Sequence, residues 1–356
     1  MKLVTFSFFN ALNLLIFVSM KFLRFLLFPF AIIYDVVTSI RNFFFEVGVF
    51  KQTSFKIPVI VVGNLSVGGT GKTPQIEYLI RLLKVSFKTA VLSRGYKRKT
   101  EGFVLLNSTH SAEDVGDEPL QYFKKFSAIN VAVDANRAEG IIRLINENSP
   151  EVILLDDAYQ HRKVKGSFYI LLTKFDDLFT DDFLLPTGNL RESRSGAKRA
   201  DVILVTKCPI NLSESSKNKV EEKLKKFHKK VFFTTISYDD KTAGSESVLV
   251  DDLKNYEILL ITGIANPTPL LSFLNEKKVN FKHLKFPDHH HFTEHEIVTI
   301  KEEYADLKSS KKLILTTEKD YVRLENRVEA LSFLGIRTSF LEQQEEFNTI
   351  IKSHIK

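Results

Sequence analysis

The sequence predicts an α/β fold: a mostly parallel sheet with helices on both faces. Three observations predict it. Short apolar runs rich in branched residues alternate with segments of helical periodicity from residue 57 onward. A glycine-rich turn, Ser66-Val67-Gly68-Gly69-Thr70-Gly71-Lys72-Thr73, joins the first such run to the first such helix. A later apolar run, "VILLDD", ends on two carboxylates, Asp156 and Asp157. Ligands of such sheets lie beyond the carboxyl ends of the strands, where both features fall. The sheet is therefore expected to be of the phosphate-loop NTPase type.

Taken in order, "IPVIVVGN" reads as a buried strand and "KTPQIEYLIRLLK" as an amphipathic helix. "TAVLSRG" is the next strand and "PLQYFKKF" opens a helix. "INVAVDA" then reads as strand, "RAEGIIRLINEN" as helix, and "EVILLDD", "SFYILLTKF" and "ADVILVTKC" as strands. The basic run Lys217 to Lys230 is interleaved with glutamates, which marks a solvated helix face. Across Val231 to Val248 helix signals stop and polar turn formers collect, as at a connection to a smaller domain. That domain resumes with "EILLITGIAN" and "KKLILTTEKD", and Thr293 with Glu296 forms a capping box that starts a helix.

The chain has 356 residues, enough for two domains, and a formal charge of +7 without a dense unbroken basic patch. Nucleic acid is not an expected partner. The single cysteine, Cys208, permits no internal disulfide and no thiolate zinc site. The first fifty residues hold 12 of the 31 phenylalanines, and Leu3 to Met20 carry no charge. Lys2, Lys21, Arg24 and Arg41 among Phe and Leu suit a helix lying on or dipping into an anionic membrane face. Met20 is a potential second start. The expected organisation is a hydrophobic membrane-associating segment over 1–50, a phosphate-loop core over 51–240 and a smaller α/β domain over 241–356 that closes over the nucleotide.

The glycine-rich turn departs from G-x-x-x-x-G-K-[ST] only at Ser66, which stands at the loop entry. Gly68, Gly69 and Gly71 let backbone N–H groups curl around phosphate oxygens at a helix N-terminus. Lys72 would reach the β- and γ-phosphates and the Thr73 hydroxyl would bind Mg²⁺. Pro74 fits the first helical turn, where a missing N–H costs no bond. Asp156 and Asp157 are placed as the acidic partners of Mg²⁺. The Asn-Lys-x-Asp base-reading motif of GTPases has only a faint echo in "VTKC", Val205 to Cys208.

With "LSRGY", "GDEP", "DDAYQH", "LLPTGNLRE", "FPDHH" and "TTEKD" following the loop in order, the chain resembles the tetraacyldisaccharide 4′-kinase family over residues 22 to 325. The resemblance implies a lipid kinase at the cytoplasmic face of the inner membrane. It would transfer the γ-phosphoryl group of ATP to the 4′-hydroxyl of tetraacyldisaccharide 1-phosphate and form lipid IVA. It also implies Asp117 as base with His289 as its partner, and a role for Glu118 at Mg²⁺. On residues alone, Asp117 and Glu118 ahead of Pro119 suit a helix cap equally well. His289, His290, His291 and His295 form a rival metal set, without the order expected of a zinc site. Candidates for substrate contact are Arg94, Tyr96, Arg137, Gln160, His161 and Arg191; arginine suits bidentate phosphate recognition. Lys97 stands where the family usually has glycine after "SRGY", and Ala158 and Tyr159 vary "DDAYQH". No obligate protein partner is implied. The competing functional class is a membrane-anchored regulatory NTPase acting on a protein, which would have no need of "GDEP" and "FPDHH".

Overall fold

The computed structural model describes residues 24–288 and 290–356. His289 and the uncharged stretch Leu3 to Met20, with its potential second start, lie outside the described residues. A nine-stranded sheet forms the larger layer. Its strands are β1 (Val59–Asn64), β2 (Thr89–Ser93), β3 (Val104–Leu105), β4 (Asn130–Val133), β5 (Val152–Asp156), β6 (Phe168–Lys174), β7 (Val202–Thr206), β8 (Lys230–Tyr238) and β14 (Ile336–Phe340). They run in the order β14-β8-β7-β6-β1-β5-β2-β4-β3. Only the edge strands β3 and β14 are antiparallel to their neighbours.

Successive side chains of β1 point to opposite faces, and both faces are covered. Val59 and Val61 join one core with Leu92, Leu155 and Ile203, while Ile60 and Val62 join the other with Ile76, Leu79 and Ile80. That is why these strands read as unbroken apolar runs rather than alternating ones. Ile76, Leu79, Ile80 and Leu83 are the buried stripe of α2 (Lys72–Leu83).

A second, five-stranded sheet has the order β11-β10-β12-β13-β9, from β9 (Ala243–Gly244), β10 (Glu257–Thr262), β11 (Asn280–Lys285), β12 (Lys312–Thr317) and β13 (Leu331–Leu334). The chain then returns. At Gly335 it passes so close to Asp239 that a side chain there would meet the carboxylate at 2.3 Å. β14 pairs with β8, and α10 (Gln344–Ile355) buries Phe347 and Ile351 in the core of Ile60 and Val62. The second sheet is thus an insertion into the first, and residues 336–355 belong with the core rather than with the smaller unit. The stretch from Val231, read as a connection, begins as β8, a strand of the larger sheet.

The N-terminal helix α1 (Phe28–Glu46) is tied down along one side. Tyr34 donates to the Arg191 carbonyl (2.9 Å), Arg41 to the Gln160 carbonyl (2.9 Å) and Asn42 to Glu192 Oε2 (3.0 Å). Just before it, Arg24 donates to the Gly188 carbonyl (2.8 Å). Its other side presents Phe30, Ile33, Val37 and Phe43, each more than half exposed. Phe183 of the core extends this apolar surface through edge contacts with Phe25 and Phe28. Among the described residues this is the one helix long and apolar enough to cross a membrane.

Gly63 near the end of β1 has no room for a side chain: a Cβ there would lie 2.6 Å from Tyr159 Cβ and 3.1 Å from its backbone nitrogen. Gly63→Ala is expected to destabilise the protein by about 1–3 kcal/mol in urea unfolding, since the contact is with backbone that cannot yield cheaply.

Candidate functional site

The loop between β1 and α2 is held open by backbone geometry. Gly68 and Gly71 adopt φ of +101° and +86°, which L side chains resist. Ser66 is not a defect: it forms an antiparallel bridge with Leu190, flanked by Val67 N to Asn189 O (2.8 Å) and Arg191 N to Leu65 O (2.7 Å). The "LLPTGNLRE" segment therefore braces the loop entry. Asn64 adds a bond from its amide to the Ser66 carbonyl (2.6 Å). Pro74 is buried in the first turn of α2, as its missing N–H allows.

Lys72 extends from that turn to Asn64 Oδ1 (3.3 Å) and Asp157 Oδ1 (3.6 Å). Asp157 stands just past β5 with φ +47° and also takes Arg191 at 2.9 Å. Burial pushes its carboxyl up, but Lys72 and Arg191 together outweigh that and hold its pKa below the usual value. Asp156 differs. It is buried, its Oδ1 has no partner, and Tyr122 donates to Oδ2 at 3.2 Å. Burial, then the charges of Asp157 and Glu118, push its pKa up to about 7.

The helix α4 (Asp117–Lys125) begins at "GDEP", after the short α3 (Ala112–Val115). Gly116, with φ +93°, is its cap residue, so the side chain of Asp117 is not a cap. Asp117 and Glu118 occupy the first turn, where the helix dipole favours negative charge. Arg323 grips Asp117 with both ends of its fork, Nε to Oδ1 at 2.7 Å and the second nitrogen to Oδ2. Arg323 belongs to α9 (Glu318–Leu324), beyond β12 in the second sheet. This helix carries "TTEKD" and matches α4 charge for charge: Glu318 with Lys125 (2.6 Å), Lys319 with Glu118 (3.8 Å), and Glu325 just past its end with Lys124. Asp320 faces inward and accepts from Gly263 N (2.8 Å). "TTEKD" thus joins the two sheets.

The remaining expected residues separate into two groups. Arg94, Arg137 and His161 gather beside the acidic strand end. Burial first, then the charges of Arg137, Lys163, Arg41 and Arg94, lower the His161 pKa to about 4. Burial and Arg94 likewise bring Arg137 to about 10, against the pull of Asp156 and Asp157. Tyr96 is exposed with the Lys97 ammonium over its ring at 5.6 Å, and its backbone lies against Gly116. Gln160 and Arg191 are engaged within the protein. Gln160 Nε2 donates to the Asn64 carbonyl (2.8 Å) and Glu192 (2.9 Å), and Arg191 donates to Asn64 Oδ1 (2.6 Å).

Of the rival histidine set, His289 lies outside the described residues, and among the described ones no group of three His, Cys, Asp or Glu forms a metal cage. His290 instead bonds to Glu296 (2.9 Å), within the capping box. Asn64, Tyr122 and Arg323 escaped the sequence reading. Asn64 adjoins the loop, and Arg323 lies one helical turn after Lys319; those were the available signals.

A parallel sheet that places a glycine-rich loop, its lysine and two strand-end carboxylates together defines a phosphate-loop nucleotide-dependent enzyme. Comparison with known proteins specifies which. The family model for tetraacyldisaccharide-1-P 4′-kinase matches residues 23–356. The tetraacyldisaccharide 4′-kinase of Flavobacterium johnsoniae is 54% identical over 95% of this chain and 98% of that protein. Its counterpart from Bacteroides thetaiotaomicron is 43% identical over 93% of each. The crystal structure of LpxK from Aquifex aeolicus in complex with ATP has a TM-score of 0.76 and 31% identity, covering 94% of this chain and all of that one. The chain belongs to the tetraacyldisaccharide-1-P 4′-kinase family and is an enzyme of lipid A biosynthesis that forms lipid IVA.

The raised pKa of Asp156 has a consequence for stability. Below about pH 4 the carboxyl is protonated folded or unfolded; as pH climbs toward 7 the unfolded chain ionises first and the native state loses ground. Asp156→Asn should therefore stabilise the metal-free protein by on the order of 2 kcal/mol at pH 8, with the gain vanishing toward pH 4 in thermal melts.

Proposed function

We propose that this kinase uses ATP with Mg²⁺ and acts on its lipid substrate at the cytoplasmic face of the inner membrane, with Asp117 as the base. The ATP complex of the Aquifex relative supports the donor. Gly68 to Thr73 cradle the phosphates, and Lys72 leaves Asn64 and Asp157 for the β- and γ-phosphate oxygens. The residues present fit Mg²⁺, which takes few protein ligands and keeps phosphate and water as the others. Thr73, Asp156 with its unpartnered Oδ1, and Asp157 would hold it, with Glu118 in support. When bound it neutralises charge on the β- and γ-phosphates.

Asp117 takes the proton of the 4′-hydroxyl as that oxygen bonds to the γ-phosphorus and the bond to the β-phosphate oxygen breaks, releasing ADP. His289 is assigned as its partner by the family motif. Arg323 orients the same carboxylate from the opposite helix.

The acceptor reading draws on a recess of about 870 Å³ between the end of α1 with the segment after it and the segments that follow β4 and β5. Phe45, Val49 and Phe50 supply apolar walls, while Arg41, His161, Arg162 and Lys163 supply cations. An acylated sugar phosphate needs that combination. Arg94, Arg137 and Tyr96 complete the acceptor side, with Gln160 and Arg191 holding the loop behind it. The exposed apolar side of α1 gives the enzyme its seat on the bilayer, where the substrate resides.

The observation that carries this assignment is that the helix opening with "GDEP" also bears Tyr122, which donates to Asp156 at the acidic strand end beside the loop. Incubation with Mg-ATP and tetraacyldisaccharide 1-phosphate should yield a bis-phosphorylated lipid. Asp117→Asn should lower kcat by about 100-fold or more while the KM for ATP stays within about threefold. Parallel loss of both, with an unchanged melting temperature, would reject Asp117 as base.

A further inference from the structure

Two sets of hydrogen bonds meet on one short segment, Pro186–Glu192, which runs between α1 and the entry of the phosphate loop. Toward the loop, the Asn189 carbonyl accepts from Val67 N, Leu190 bridges Ser66, and Arg191 N donates to the Leu65 carbonyl. Toward the N-terminal helix, Arg24 donates to the Pro186 carbonyl (3.3 Å) and to Asn189 Oδ1 (3.0 Å) as well as to the Gly188 carbonyl. Tyr34 holds the Arg191 carbonyl, and Asn42 holds the buried Glu192 carboxylate. Asn189 and Arg191 are thus each bound from both sides. A second route runs through Gln160. Its carbonyl accepts from Arg41, and its Nε2 donates both to Glu192 (2.9 Å) and to the Asn64 carbonyl at the end of β1 (2.8 Å). Attachment to a bilayer requires only the apolar side of α1; directional bonds on the opposite side fix its register against the segment.

We propose that α1 is a positioning element of the nucleotide site, with Tyr34 and Asn42 as positioning residues that act through Arg191 and Glu192. The inference rests on the donor reading above. Tyr34 fixes the carbonyl of the residue whose N–H braces Leu65 and whose guanidinium meets Asn64 Oδ1 (2.6 Å) and Asp157 (2.9 Å). Those two acceptors are also the ones that hold Lys72. A shift of Arg191 therefore moves the loop entry and the partners of Lys72 together. Small misplacements of such groups are costly to binding and transfer alike.

The test uses the full chain, with three readouts: calorimetric binding of Mg-ATP in detergent, flotation with vesicles of phosphatidylethanolamine and phosphatidylglycerol, and melting temperature. Tyr34→Phe removes one hydroxyl and keeps the ring; Asn42→Leu removes the amide; neither residue lies on the exposed apolar side. Each should weaken Mg-ATP binding about fivefold and leave vesicle binding within about twofold. Phe30→Ser, on the exposed side, should do the reverse. In combination with Arg191→Lys, Tyr34→Phe should cost less than the product of the two single losses, because both act on one residue. Unchanged ATP affinity in Tyr34→Phe and Asn42→Leu, or losses that merely follow the melting temperature across the variants, would overturn the positioning role. A full product in the double variant would overturn the route through Arg191. Failure of the parent to bind Mg-ATP would instead sink the donor reading, and this inference with it.

Discussion

The in-register parallel pairing of β1 with β5 is the constraint on which the site depends. It sets Val62 opposite Asp156, so the phosphate loop and the acidic pair leave the sheet side by side. Everything polar there is a response to that placement. Asp157 turns outward to Lys72 and Arg191, while Asp156 stays buried against Tyr122. Two adjacent carboxylates thereby acquire opposite properties: one is held ionised by cations, the other raised by desolvation and by its neighbour's charge.

A second constraint joins the sheets. α4 and α9 meet through four charge pairs, in which Asp117, Glu118, Lys124 and Lys125 each face an opposite charge. Lys125 also bonds to Glu77 of α2 (2.8 Å), and Gln121 to the same carboxylate (2.8 Å). The loop helix, the helix that opens with Asp117 and Glu118, and the second sheet are thus one connected polar assembly. The more buried of these pairs, Arg323 with Asp117 and Lys125 with Glu318, fix geometry more than they add stability, because desolvation offsets much of the attraction. Fixed geometry is what a transfer reaction between two large substrates requires.

Much of this was legible in the sequence where burial makes a strong local signal. Strands β1, β2, β5, β6, β7, β10 and β12 are buried on both faces and read as apolar runs, and the loop announced itself by its glycines. β11 did not, because "NFKHLK" is a half-exposed edge strand with polar residues throughout. β13 and β14 were hidden for another reason: one glycine separates them, yet they belong to different sheets, a fact of topology with no local sign. The site followed the same division. Motif residues next to strand ends stood out in the sequence, whereas the bonds that tie Gln160 and Arg191 to Asn64 had no local sign. Arg323 acts on a residue 206 positions away, a separation that no spacing rule spans.

The return of residues 336–355 to the first sheet also bears on how the molecule assembles as it is made. β8 and the end of β7 emerge from the ribosome early, but the strand and helix that seal that edge follow only after the whole inserted sheet has been synthesised. Phe232 and Tyr78, which pack against Phe340 and Phe347, stay uncovered until then. Native contacts of such long sequence separation form slowly, and an open strand edge invites wrong pairing in the interval.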